Sequence, residues 1–219
     1  MLEITDFITN DYKAIDSLQS VEWAQDFFAE TSFSHFPVLE DGIYIGSIAA
    51  NDIETFESDK KIKQYRYALE GFFTRTDMIW LGLLEIFARN HTNIVPVLDD
   101  NNKYVGYFEI ADIIKLFYET PFLKEQGGVI IVKKSSLDFS MSQVIQIVES
   151  NNGKVLGVFI SDTSVDTVEV TIKISLGAMN EIIQTFRRYS YDIVSEHQED
   201  TYLNSLKERS DYLNKYLKM

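Results

Sequence analysis

The chain has no cysteine among its 219 residues. Disulfides, thiol nucleophiles and thiolate metal sites are excluded together. Three prolines and ten glycines are too few for a collagenous or linker-rich chain. Positive charge is scarce: 20 Lys and Arg stand against 34 Asp and Glu, a formal charge of −14. Such a surface repels phosphate backbones and anionic lipid, so neither nucleic acid nor a membrane surface is expected as a partner. No apolar run approaches the ~20 residues that span a bilayer. The first residues, MLEITDFITNDYK, lack the basic start and apolar core of a secretion signal, so the expected location is the cytoplasm.

Catalytic signatures are missing as well. The sequence holds no G-x-S-x-G elbow, no phosphate-cradling P-loop and no G-x-G-x-x-G turn. His35, His91 and His197 have no i, i+4 partner, so no metal site and no resident cofactor are expected. The chain does not read as an enzyme. It is 45% hydrophobic and 13% aromatic, an ordinary globular composition, and long enough for two modest domains.

A degenerate internal repeat organises the first half. HFPVLEDGIYIGSIAANDIETF, from His35, returns near Ile94 as IVPVLDDNNKYVGYFEIADIIKLF. Pro37 answers Pro96, Gly46 answers Gly106 and Asp52 answers Asp112. The offset grows from 59 to 60 because the second turn is one residue longer. Upstream, FFAETS at Phe27 faces IFARNH at Ile86. Each copy reads as a helix, a strand, a polar turn, a second strand ending at the glycine, and a helix starting near Asp52 or Asp112. Such a unit cannot bury its apolar face alone, so two copies make one domain with a ligand cleft expected between them. The charged, aromatic connector from Glu54 to Thr76 should pack partly on the pair.

Pro121 and Gly127-Gly128 mark the next boundary. Beyond it the pattern predicts a strand (Val129 to Val132), a helix through Met141 and Val148, a strand (Val155 to Ile160), an alternating strand (Val168 to Ile174), a helix through Met179 and Phe186, and a last strand (Tyr191 to Val194). That order is the split βαβ, or ferredoxin-like, arrangement. Ser140 with Gln143 has capping-box spacing. Residues 199–219 carry Leu203, Leu206, Leu213 and Leu217 on one helical side; such a helix should dock on its own domain or on a second subunit.

PVLE…GSIAANDI and PVLD…GYFEIADI resemble the signature of tandem CBS domains, over roughly the first 120 residues. The C-terminal segment resembles, by element order, an ACT domain, and the combination is similar to CBS–ACT proteins of the acetoin-utilisation type. The resemblance implies an α/β (α+β) architecture. A CBS pair spans residues 1–122, in copies of about 1–60 and 61–122. A ferredoxin-like βαββαβ (ACT-like) domain follows over 127–198, then a helical tail over 199–219. It further implies a non-catalytic regulatory module that binds a small ligand, such as an adenine nucleotide or adenosyl compound, and passes the signal to a separate protein. A ligand-free scaffold with degenerate sites is the alternative. Apolar repeat faces and the tail motivate a homodimer.

In CBS pairs that bind adenosyl ligands, a Thr/Ser hydroxyl and an Asp carboxylate grip the ribose. Asp52 and Asp112 fill the Asp position, while Ala49 and Glu109 occupy the hydroxyl position. His35, Phe36 and Val95, at the starts of the first strands of the two copies, complete the candidate set. Asp52 and Asp112 could equally cap their helices. Glu109 would repel a phosphate, an effect that Lys103 and Arg75 offset only if they reach the same cleft. ACT domains that bind amino acids often carry a glycine in the loop after the first strand; the corresponding Lys133 to Ser140 has none.

Overall fold

A computed structural model describes residues 4–177 and 179–195. The chain divides into two compact units, Met1–Phe117 and Tyr118–Met219. The divide falls ahead of the boundary expected at Pro121 and Gly127-Gly128. The expected tail helix over 199–219, and His197, lie outside the described residues.

In the first unit the repeat is built twice. The first copy runs β1 (Ile15–Asp16), α1 (Val21–Glu30), β2 (His35–Glu40), β3 (Ile43–Ala49) and α2 (Ala50–Thr55). A 3-10 segment, Ile62–Ala68, fills the connector. The second copy runs β4 (Thr74–Arg75), α3 (Trp80–Arg89), β5 (Ile94–Leu98), β6 (Tyr104–Glu109) and α4 (Ile110–Tyr118). Both copies form a three-stranded sheet with one parallel and one antiparallel pairing. The register shifts at matched places, Val38/Leu39 and Val97/Leu98. The short parallel strands β1 and β4 were not legible in the sequence, because two residues carry no periodicity.

Local chemistry sets the boundaries. Ser20 caps α1, its hydroxyl accepting from the Trp23 N–H at 3.2 Å, and Val21, Ala24 and Phe28 bury the inner face. Asp41 (φ 50) and Gly42 (φ 79) make the two-residue turn between β2 and β3, both in the left-handed region that such a turn requires. In the longer second turn the Asp99 carboxylate accepts from the N–H groups of Asn101 (2.9 Å) and Lys103 (2.8 Å).

The two copies interlock by exchanging the segments that precede them. Thr9 and Tyr107 trade backbone hydrogen bonds (3.0 and 2.9 Å), placing the N-terminal arm on β6 of the second copy. Ser47 and Glu70 do the same (both 2.8 Å), placing the connector on β3 of the first. The repeated glycines lie at these crossings. A Cβ on Gly106 would lie 2.5 Å from the Thr9 carbonyl oxygen; one on Gly46 (φ 143) would lie 2.8 Å from Leu69 Cβ. The cores follow the exchange. Ile62 and Leu69 of the connector pack with the first copy, and Ile4, Phe7 and Ile8 of the arm pack with the second.

The second unit opens with the short helix α5 (Pro121–Lys124), followed by β7 (Gly127–Ser135), α6 (Met141–Ser150), β8 (Val155–Thr163), β9 (Thr167–Ser175), α7 (Met179–Arg188) and β10 (Asp192–Ile193). The sheet order β10-β7-β9-β8, with antiparallel neighbours, is ferredoxin-like. Val168, Val170, Ile172 and Ile174 form a core with Ile130, Val132 and the apolar faces of α6 and α7. Gly127 and Gly128 lie inside β7 rather than in a boundary turn, because a side chain at either would collide with the Ile174 carbonyl or with Met179. The capping box is not formed. The Gln143 carbonyl oxygen instead accepts from Lys134 Nζ and from the Tyr191 hydroxyl, each at 3.0 Å.

The glycine crossings yield a test. Gly106→Ala should destabilise the protein by about 1–3 kcal/mol, as overpacking against backbone does, while Gly42→Ala meets open space and bears only the cost of its backbone conformation. Urea denaturation of the two variants checks the ranking.

Candidate functional site

The centre of the first unit is a reciprocal clasp between equivalent residues. Ser34 N–H donates to Asn93 Oδ1 (2.9 Å), and Asn93 N–H donates to Ser34 Oγ (3.1 Å). Asn93 Nδ2 also donates to the Ser32 carbonyl (2.6 Å). Their own carbonyls accept from the first residues of the following helices, Ala50 (2.8 Å) and Ile110 (3.0 Å). The clasp thus fixes where β2 and β5 meet and where α2 and α4 begin.

Beside it lies a cavity of about 450 Å³. The first copy supplies Ser34, His35 and Ala49 to Asp52; the connector supplies Glu70; the end of α3 supplies Arg89, Asn90 and His91. Of the sequence candidates, His35, Ala49 and Asp52 therefore share one wall. His35 is buried, with 8% exposure. Its Nδ1 lies 3.0 Å from Ser34 Oγ, its Nε2 3.4 Å from Glu70 Oε1, and its ring meets Phe72 edge-on. His91 closes the end of α3 in the left-handed region (φ 49), a conformation costly for a residue with a Cβ. Arg89 pairs with Glu85 at 2.6 Å and is largely exposed, a tether weak enough to exchange for a ligand anion.

Asp52 does not cap its helix. Helix α2 begins at Ala50 with Ala49 as an N-cap that makes no side-chain bond, so Asp52 sits in the first turn. Among the described residues its carboxylate takes no hydrogen bond and forms no ion pair. Helix α4 likewise begins at Ile110, ahead of Asp112. Asp112 is engaged by Lys115 at 2.8 Å. The two family-signature aspartates are thus in different states.

The remaining candidates lie elsewhere. Phe36 and Val95 are fully buried, in the first and second core respectively, and present no surface to a ligand. Glu109 stands at the position equivalent to Ala49, in the other half of the repeat. Burial first, then the charges of Asp112 and Asp11, hold its carboxyl above the ordinary range, with Lys115 acting in the opposite sense. Arg75 does not relieve it. Its guanidinium is spent on the turn after β5, donating to the Asp99 carbonyl and to Asn102 Oδ1. Lys103 belongs to that same turn.

Sequence reasoning missed Glu70, Arg89, Asn90 and His91. The signal was in the repeat itself: Arg89-Asn90-His91 stands opposite Glu30-Thr31-Ser32, a cationic stretch facing an acidic one. The equivalent surface around Glu109 and Asp112 carries acids where the cavity carries Arg89. Among the described residues no cluster of three His, Asp or Glu could hold a metal ion, and no helix is long and apolar enough to cross a membrane.

The state of Glu109 gives a signed expectation. A carboxyl whose folded pKa is raised weakens the fold when ionised; the effect is present above the folded value and vanishes below the unfolded one. Glu109→Gln should therefore raise the melting temperature at pH 7, with the gain shrinking toward zero by about pH 4. Thermal melts of both proteins across that range check it.

Comparison with known proteins places the first unit. The CBS domain family matches residues 4–57 and 82–119. Uncharacterized protein MJ0188 of Methanocaldococcus jannaschii is 23% identical over 135 residues, 61% of this chain and 51% of the relative. Uncharacterized protein MJ1232 of the same organism is 32% identical over 91 residues, 41% of this chain and 30% of the relative. The chain thus spans about half or less of the curated relatives it matches. Among solved structures, a CBS domain pair/ACT domain protein from Thermotoga maritima is similar, with 15% identity and a TM-score of 0.48, over 54% of this chain and 98% of that one.

Proposed function

We propose, for a chain whose first unit is a CBS domain pair, that it is a non-catalytic regulatory module. In this reading it binds one anionic small ligand of the adenine-nucleotide or adenosyl class, in the cavity between Asp52 and Arg89. Binding biases the arrangement of a homodimer and signals to a separate protein. The observation that carries the reading is the Asp52 carboxylate, without an internal partner, in the lining of a cavity that Arg89 and His91 also line. A carboxylate accepts from both hydroxyls of a ribose, and a guanidinium pairs with phosphate or carboxylate oxygens. The volume, about 450 Å³, is within the usual size of small-molecule sites. The equivalent surface is a poor second site for such a ligand, because Asp112 is already paired and Glu109 would face the phosphate.

The scaffold reading keeps two observations in its favour: Ala49 offers no hydroxyl, and Glu70 adds an acid to the lining. A titration separates the two. AMP, ADP, ATP and adenosylmethionine are added in turn to the purified protein, followed by calorimetry and thermal shift. A ligand at about 100 times its dissociation constant adds roughly 2.7 kcal/mol of stability. Asp52→Asn should weaken binding about tenfold or more, the loss of a charged hydrogen bond, while Asp112→Asn leaves affinity unchanged. No response to any of the four makes the scaffold reading the better one.

A further inference from the structure

The sheet of the second unit packs one face on α6 and α7. An antiparallel sheet with a second, free face ordinarily turns polar residues to it. Here that face carries an apolar row reaching across all four strands. Ile131 of β7 stands opposite Thr171 of β9, and Thr171 opposite Phe159 of β8. Val194, directly after β10, donates its N–H to the Ile131 carbonyl at 2.8 Å and so extends the row. Val129, two residues along β7, adds to it from the neighbouring row. Val129 is 45% exposed, Phe159 49% and Val194 47%, and none of them joins the core under α6 and α7. Among the described residues of this unit, α5 covers one corner, its Phe122 ring against Gly157 and 6.0 Å from that of Phe159.

We propose that this face is covered by the end of the same chain, residues 201–219, lying along the strands as an amphipathic helix. The point of departure selects the occupant. Ser195, the last described residue, accepts from the Ile131 N–H at 3.1 Å, so the chain leaves from the apolar row itself. A segment tethered at the rim meets the face at a far higher effective concentration than one from another chain. Residues 196–200, EHQED, are all polar and extend over up to ~17 Å. That exceeds the distance from the edge strand to the sheet centre, with strands about 4.8 Å apart. The lengths agree as well. A helix over 201–219 is about 28 Å long, and the nine-residue strands β7, β8 and β9 run about 30 Å. Leu203, Leu206, Leu213 and Leu217 supply the apolar side.

Charge fixes the direction. Because β10 runs antiparallel to β7, the chain departs toward the end of the sheet where Lys173 stands, and a returning helix finishes near Asp162, Asp166 and Glu169. In this placement Glu199 and Asp200 lie toward Lys173, and Lys215 and Lys218 toward the three acids. Lys133, in the row of Glu169, is flanked by that acid and by Asp192. The reverse orientation sets like charges together.

The absence of cysteine makes a single introduced thiol a clean probe. Full-length Val129→Cys and Phe159→Cys are compared with Gln146→Cys, on the exposed side of α6. The two face thiols should react with a maleimide at least about tenfold more slowly than the α6 thiol, because labelling waits for the segment to lift. Adding Leu206→Glu/Leu213→Glu should restore fast labelling at the face and leave Gln146→Cys unchanged. Face thiols that label as fast as Gln146→Cys, or protection that survives the tail substitutions, overturn the inference. The tail-substituted Val129→Cys chain is also mixed with an excess of the cysteine-free parent and should stay unprotected. Protection regained in that mixture puts another copy's tail on the face and overturns the inference too. Phe159→Cys carries the same measurements if Val129→Cys fails to fold.

Discussion

The Ser34–Asn93 clasp is the contact on which the first unit depends. It joins the two copies at equivalent positions, so a displacement at one side is a displacement at both. The backbone carbonyls of the same residues receive the first N–H of α2 and of α4. Strand crossing, helix start and cavity wall are therefore set by two side chains of modest size. The pair is only half-buried, so each of its hydrogen bonds contributes about 0.5–1.5 kcal/mol. His35, adjacent to the clasp, inherits its position from it.

On that symmetric frame the sequence has written two unlike surfaces. One surface presents Arg89 and His91 of the second copy with an unengaged Asp52 of the first; the other presents Glu109 and an engaged Asp112. The backbone is nearly the same in both, down to matched register shifts. The two surfaces differ chiefly in charge and hydrogen-bond state.

Much of this was legible in the sequence. The repeat, its strands and the βαββαβ order of the second unit follow from periodicity and from the prolines and glycines that punctuate it. Ala49, Asp52 and His35 fall on one cavity wall because the signature places them on adjacent elements. Glu70, Arg89, Asn90 and His91 reach the same cavity through the exchange of connecting segments and through the reciprocal packing of the copies, neither of which leaves a periodic trace. The helix starts were misplaced by two residues because an aspartate near a helix start reads as a cap, whereas α2 starts at Ala50 behind an N-cap, Ala49, that makes no side-chain bond. Phe36 and Val95 were drawn into the candidate set by proximity along the chain; both strands are buried on both faces there, and these two side chains are spent on the cores. The glycine pair at 127–128 read as a turn because its reason for being glycine, a close carbonyl and a methionine, lies in distant sequence.

The exchanged arm also governs when this unit can be completed during synthesis. Thr9 emerges from the ribosome early, but its backbone partner is Tyr107, almost the whole unit later. At ordinary elongation rates of about 5–20 residues per second, that interval lasts several seconds. Throughout it, Ile4, Phe7 and Ile8 have no native surface to cover them, since the core they join belongs to the second copy. Those three side chains therefore wait for β6 before they can take their native places, and docking of the arm is a late event in the closure of the unit.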